Sequence, residues 1–157
     1  MSPDIWTLLS ELPPAAFLRG SSLVYLLVNA AHIASLGLLI GTIVSLDLRV
    51  LGLCRGVPLQ AIGPFLSRMA GWGLGLAILT GLWLFSVNAP TYVDNLAFRW
   101  KLVLIGLGLV NVVMTHARRD WRSPSDAEVT PALRVHAGLS LAIWLGVVLA
   151  GRWIGFM

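Results

Sequence analysis

Apolar residues collect into four long runs, and the charged, Gly/Pro and other breaker residues fall between them. The runs cover about Leu23–Leu46, Met69–Val87, Leu102–Thr115 and Val135–Phe156. They are continuous rather than alternating, which argues for helices over barrel strands, because only a helix satisfies its backbone within one segment. Crossing the hydrocarbon layer takes ~20 mostly apolar residues. The third run reaches that length only by including Phe98–Lys101, with Lys101 snorkelling to the water boundary. The pattern therefore predicts an all-α, four-transmembrane-helix bundle with short interfacial helices. It forms a single membrane domain, with spans at about 23–46, 66–87, 98–117 and 135–156.

Two shorter segments flank the first spans. Pro3-Asp4 suits a helix start, and Ile5, Trp6, Leu8, Leu9 and Leu12 give the segment an apolar side, so a helix lying on the membrane surface is expected, ended by Pro13-Pro14. A second interfacial helix is expected around Pro58–Leu66.

Composition agrees with lipid as the solvent. The 157 residues are 57% apolar and 11% charged, with mean hydropathy +0.84. A soluble domain is ~25% charged, so this chain lacks the charge to cover a water-facing surface. That excludes a soluble enzyme. The net charge of +4 does not indicate nucleic acid, because the basic residues sit at the ends of apolar runs as topology signals. Of the eleven, Arg49, Arg55, Arg68, Arg118, Arg119, Arg122 and Arg134 fall on one side, and Arg19, Arg99, Lys101 and Arg152 on the other. Positive-inside bias then predicts both termini outside and the loops at 47–68 and 117–134 in the cytoplasm. No basic residue precedes Arg19, so residues 1–20 are expected to belong to the mature chain rather than to a secretory signal. The single cysteine, Cys54, cannot build a disulfide framework and is expected to be a small apolar loop residue.

Small residues mark where helices are expected to touch. Gly37/Gly41 and Gly71/Gly75 form GxxxG pairs, and Gly106, Gly108, Gly138, Gly146, Gly151 and Gly155 continue the theme. Some of these glycines would instead make room for a flat cofactor.

Polar and ionisable residues within spans are costly, and so are the natural candidates for chemistry. Asn29, His32 and Ser35 make a polar strip at i, i+3 spacing on the first span. His116 and His136 lie near the cytoplasmic ends of the third and fourth spans, which one loop joins. At 1.5 Å per residue, His32 is about 22 Å from Asp47, Lys101 about 22 Å from His116, and Arg152 about 24 Å from His136. Two layers result: an outer one with His32, Lys101 and Arg152, and an inner one with His116 and His136. Imidazole ligands, aromatic walls and basic residues for propionates together describe haem b. His32 would ligate an outer haem, and His116 with His136 an inner one, giving one or two haems. At the level of His32 the other iron ligand would be Lys101, a methionine, a partner subunit or none. Trp83 and Trp144 are deep enough to serve as haem walls, whereas Trp100 and Trp153 read as interfacial belt. No CxxCH is present, so covalent haem attachment is excluded. Asp47 and Arg49 are expected to pair with each other or with Arg68 or Arg118, and Asn111 to bond a neighbouring helix.

Val28-Asn29-Ala30-Ala31-His32, Leu46-Asp47-Leu48-Arg49-Val50-Leu51-Gly52, Phe98-Arg99-Trp100-Lys101 and Gly151-Arg152-Trp153-Ile154 resemble a bacterial family of small four-helix membrane proteins of unknown function. More distantly, His32 and Trp100-Lys101 are similar to CopD-type copper-resistance proteins and to HemJ-type protoporphyrinogen oxidase, a haem-binding membrane protein. The latter resemblance implies roles for His32 and Lys101. The chain departs from it in carrying His116 and His136 and in lacking the tyrosine–histidine pattern of its third span. The resemblance and the charge bias imply a bacterial inner (cytoplasmic) membrane.

The expected function is electron transfer by a b-type haem protein linked to quinone or a redox partner, as a homo-oligomer or with a partner membrane subunit. The rival is a transport, assembly or structural subunit without haem, with His32, Asn29 and Lys101 lining a path for copper or protons. Met69 and Met114 are the only interior methionines, which disfavours copper(I).

Overall fold

A Ser21 side chain, a glycine bend at Gly52, Asn95 and Thr130 punctuate the chain into its long helices. The computed structural model describes residues 4–53, 56–118, 121 and 129–156. Within these, α1 spans Ile5–Glu11, α2 Pro13–Gly20, α3 Ser22–Val50, α4 Leu59–Val87, α5 Ala89–Asp94, α6 Leu96–Ala117 and α7 Pro131–Trp153, followed by a 3₁₀ turn at Ile154–Phe156. Cys54, Arg55, Arg119 and Arg122 lie outside the described residues, so the expectations placed on them are not addressed.

The caps explain the boundaries. Ser21 Oγ accepts from Val24 N at 3.4 Å, Asn95 Oδ1 from Phe98 N at 3.1 Å, and Thr130 Oγ1 from Leu133 N at 3.2 Å. Each satisfies one of the amide groups left unpaired at a helix start. At the far end of α3, Gly52 takes φ 89°, which lets Leu53 N reach back to Leu48 O at 3.0 Å. This left-handed closure suits glycine, which carries no Cβ to strain it.

Four helices, α3, α4, α6 and the stretch from α7 to its 3₁₀ turn, are long and apolar enough to cross a membrane. The fold is the expected all-α four-helix arrangement. An even number of crossings places both chain ends at the same end of the molecule, here termed the terminal end. The turns after α3 and α6 mark the loop end.

Two boundaries differ from expectation. Pro13-Pro14 do not only end α1; they start α2, since proline at the first helical positions has no amide to lose. The segment 58–66 is not a separate interfacial helix but the opening turns of α4, in which Pro64 is accommodated inside the helix. With 29 residues each, α3 and α4 are about 43 Å long. They therefore overrun the ~30 Å hydrocarbon layer.

Packing follows an open row. The α3/α4 and α6/α7 hairpins are the extensively packed pairs, and α3 against α7 is the seam joining them. Among the described residues α4 and α6 are not an extensively packed pair. Leu39, Ile43, Trp144 and Val147 fill the seam. A second cluster of Val50, Leu59, Leu133 and Ala137 closes the loop end. Leu23, Leu79, Val113 and Leu149 point outward, each more than 60% exposed, as expected where lipid tails are the solvent. Trp72, Trp100 and Trp153 are likewise exposed.

The helices do not meet at the GxxxG pairs. A Cβ at Gly37, Gly41, Gly71 or Gly75 would have no neighbour within 4 Å, whereas one at Gly73 would fall 2.7 Å from the Leu39 backbone nitrogen. Among the glycines of α3 and α4, Gly73 is where a side chain would meet the facing helix's backbone. Gly108 receives the Trp144 indole in the same way, at 3.1 Å.

At the terminal end the short helices form a cover. Trp83 Nε1 donates to Pro14 O at 3.0 Å and Arg19 to Val87 O at 3.2 Å, fastening α2 to α4. Phe85 of α4 stacks on Phe98 of α6, with centroids 5.3 Å apart and planes 4° off parallel. Trp6 and Tyr92 pack against the edge of this pair. The stack bridges α4 and α6 at this end.

Candidate functional site

Two cavities lie between the hairpins, one above the other, with α3 and α7 as their shared floor. The terminal-end cavity has a volume of about 760 Å³. Its polar lining is Tyr25, Asn29, His32, Tyr92, Lys101 and Arg152, set among Phe85, Phe98, Trp144 and aliphatic side chains. The outer layer read from the sequence is thus brought together in one space. Trp83 lines neither cavity, because its indole is spent on α2. Ser35 also leaves the expected polar strip: it is buried and donates to Ala31 O at 2.6 Å.

His32 is fixed by α4. Its Nδ1 lies 2.9 Å from Thr80 Oγ1, and that hydroxyl already donates to Leu76 O at 2.7 Å. With its hydroxyl proton on Leu76 O, Thr80 accepts from Nδ1–H, and that tautomer leaves the Nε2 lone pair free. The ring sits on Gly81, where a Cβ would come 3.0 Å from Cε1. This glycine, not noticed in the sequence, gives the imidazole its seat. Only its i+1 position after Thr80 could have hinted at it.

Lys101 crosses from α6 to lie along Gly151 of α7, whose Cβ position is 3.8 Å from Lys101 Nζ. Among the described residues Lys101 has no hydrogen-bond or ion-pair partner. Arg152 holds the same mouth, its guanidinium 4.8 Å above the Phe156 ring. One imidazole lone pair and two cations therefore face one apolar, aromatic space.

No family model, curated protein or solved structure matches this chain.

The loop-end cavity is smaller, about 270 Å³, and is lined by Asp47, Ser67, Asn111, His116, His136, Ser140 and Trp144 among apolar side chains. His116 and His136 do share it. Asn111 bonds its neighbour as anticipated: Nδ2 donates to His136 O at 3.1 Å, and Oδ1 accepts from His136 Nδ1 at 2.7 Å. His116 Nδ1 is satisfied by Val112 O at 2.8 Å. The expected pairing of Asp47 with an arginine does not occur among the described residues. Asp47 lines the cavity beside Ser140 instead, and Arg49 Nε donates to Val57 O at 2.6 Å.

These volumes decide which cavity suits a porphyrin. Sites for drug-sized ligands run to ~300–1,000 Å³. The terminal-end cavity falls within that range and offers a ligating nitrogen, aromatic walls and cations for propionates, so its residues fit haem b. The loop-end cavity falls below the range, and the Nδ1 atoms of His116 and His136 are engaged there by Val112 O and Asn111 Oδ1. Among the described residues no group of three or more His, Cys, Asp or Glu is placed to hold a metal ion unaided.

Proposed function

We propose that this chain is a membrane haem b protein with one haem in the terminal-end cavity, carrying electrons between a quinone and a redox partner or second subunit. The observation that carries the reading is the meeting of the His32 imidazole with the Lys101 ammonium, which has no partner among the described residues, in one cavity of about 760 Å³. A half-buried cation in largely apolar surroundings is stabilised when an anion joins it, and a haem propionate is such an anion.

In this reading His32 is the iron ligand. Thr80 orients its ring by holding Nδ1–H, as second partners of ligating histidines do. Lys101 and Arg152 bind the carboxylates, and Tyr25, Phe85, Phe98 and Trp144 exclude water from the faces. Haem bound there supplies a one-electron iron couple whose potential the protein sets through its ligand, hydrogen bonds and burial. The excess of arginines at the loop end supports an orientation with that end cytoplasmic and both termini periplasmic, in a bacterial inner membrane.

The test is a visible spectrum of the detergent-purified chain expressed with ample haem. A Soret band and a reduced α band are expected, with haem per chain falling at least fivefold in His32→Ala. Colourless wild-type protein, or unchanged haem in that variant, removes the proposal.

A further inference from the structure

Among the described residues, three buried polar atoms lack a hydrogen-bond partner: Asp47 Oδ2, Ser67 Oγ and Trp144 Nε1. All three side chains line the loop-end cavity. Asp47 is 8% exposed and Trp144 1%. Buried polar groups are nearly always satisfied, so three orphans around one space describe an occupant by its outline.

The donors and acceptors restrict what that occupant is. An indole N–H only donates, a carboxylate oxygen accepts, and a serine hydroxyl does either. The occupant must therefore accept from Trp144, and it must donate to Asp47 when that carboxyl is ionised or accept from it when it is protonated. A metal ion would face the Trp144 N–H without accepting from it, and an anion would face the Asp47 carboxylate. A hydroxyl group answers both, since it has one proton to give and lone pairs to receive. Asn111, Thr115, His116, His136 and Ser140 also line the space, but most of the remaining wall is aliphatic, among it Leu39, Ile43, Val50, Leu74 and Leu133, so the body bearing that hydroxyl is largely apolar too. Access also points to a lipid-soluble molecule. The cavity is flanked by α4 and α6, which lack extensive packing on each other, and the aromatic stack that bridges them is at the opposite end.

We infer that the loop-end cavity binds the hydroxyl-bearing ring of a lipid-soluble quinol, hydrogen-bonded by Asp47, Ser67 and Trp144. A volume of about 270 Å³ accommodates a single small ring, and the hydrocarbon tail leaves between α4 and α6. Trp144 also lines the terminal-end cavity, so the quinol ring and the proposed haem share one indole as their partition. The inference rests on the quinone-linked reading above, but none of its three residues is the proposed iron ligand.

The test uses the full chain in lipid nanodiscs under anaerobic conditions, with a decyl-tailed benzoquinol as probe and decanol as the tail-and-hydroxyl control. Equilibrium dialysis is expected to show one saturable quinol site per chain. Affinity is expected to fall at least tenfold in Asp47→Ala and in Trp144→Phe, which keeps the ring but removes the N–H, and a few-fold in Ser67→Ala. If Asp47→Ala is not folded by circular dichroism, Ser67→Ala and Trp144→Phe carry the same expectation. His32→Ala should bind quinol like wild type while losing haem, so failure of the haem reading leaves this result intact. Absence of saturable binding, which would mean that water fills the space, overturns the inference. Decanol binding as tightly as quinol overturns it, as does wild-type affinity in both Trp144→Phe and Ser67→Ala.

Discussion

Adding one methyl group at Gly73 is expected to push α4 off α3. The new Cβ would sit 2.7 Å from the Leu39 backbone nitrogen and 3.0 Å from its Cα, where ordinary contact begins at 3.4 Å. Backbone atoms cannot swing aside as a flexible side chain can, so the helices must separate by about 0.7 Å or strain. Overpacking of this kind costs ~1–3 kcal/mol, against which alanine's better helix propensity returns at most ~1 kcal/mol. A net loss of about 1–2 kcal/mol is the expectation for Gly73→Ala. Gly71→Ala and Gly75→Ala meet nothing within 4 Å, so each should gain about 0.5–1 kcal/mol from propensity alone. Reversible unfolding in mixed micelles by SDS titration, followed by far-UV circular dichroism, would rank the three. If Gly73→Ala proves as stable as its neighbours while either of them destabilises the fold, the register of α3 on α4 described above is wrong.

Other perturbations test other joints. Asn111→Leu removes two bonds to His136, and interhelical bonds in membranes average ~0.6 kcal/mol with a maximum near 1.7. A loss of about 1–2 kcal/mol is expected in the same titration, and His136→Ala should add little to it. Trp83→Phe deletes the bond to Pro14 O, so trypsin should cut after Arg19 several times faster while the helix content of the core stays constant. Burial, and then proximity to Tyr25, hold the Tyr92 phenol above its ordinary value of 10.0. The folded state therefore favours the neutral phenol. Its contribution to stability is intact below pH 10 and lost as pH rises through the higher folded value. An SDS titration series at rising pH should show this loss, and Tyr92→Phe should flatten it.

The four spans were legible because lipid demands long continuous apolar runs, and no tertiary detail is needed to see them. The joint placement of His32, Lys101 and Arg152 was legible for a related reason. Depth along a straight helix is fixed by residue count, so residues on antiparallel helices can be matched by arithmetic. Rotation about the helix axis is not fixed that way. All-round apolar helices give little amphipathic signal, so the sequence could not say that Gly73 rather than Gly71 or Gly75 meets α3, or that Trp83 turns toward α2. The loop-end site was missed for a different reason. The arginines near Asp47 in sequence point to an ion pair, whereas α7 brings Ser140 to the same cavity across 93 positions of chain. The α2 helix was missed because Pro13-Pro14 reads equally as a stop and as a start.

The single seam between α3 and α7 has a mechanical consequence. Two stiff hairpins joined along this line, and clasped at the terminal end by the Phe85–Phe98 stack, behave like the blades of a pair of scissors, with Leu39 and Trp144 at the pivot. Any load that narrows the angle between the blades would squeeze both compartments at once.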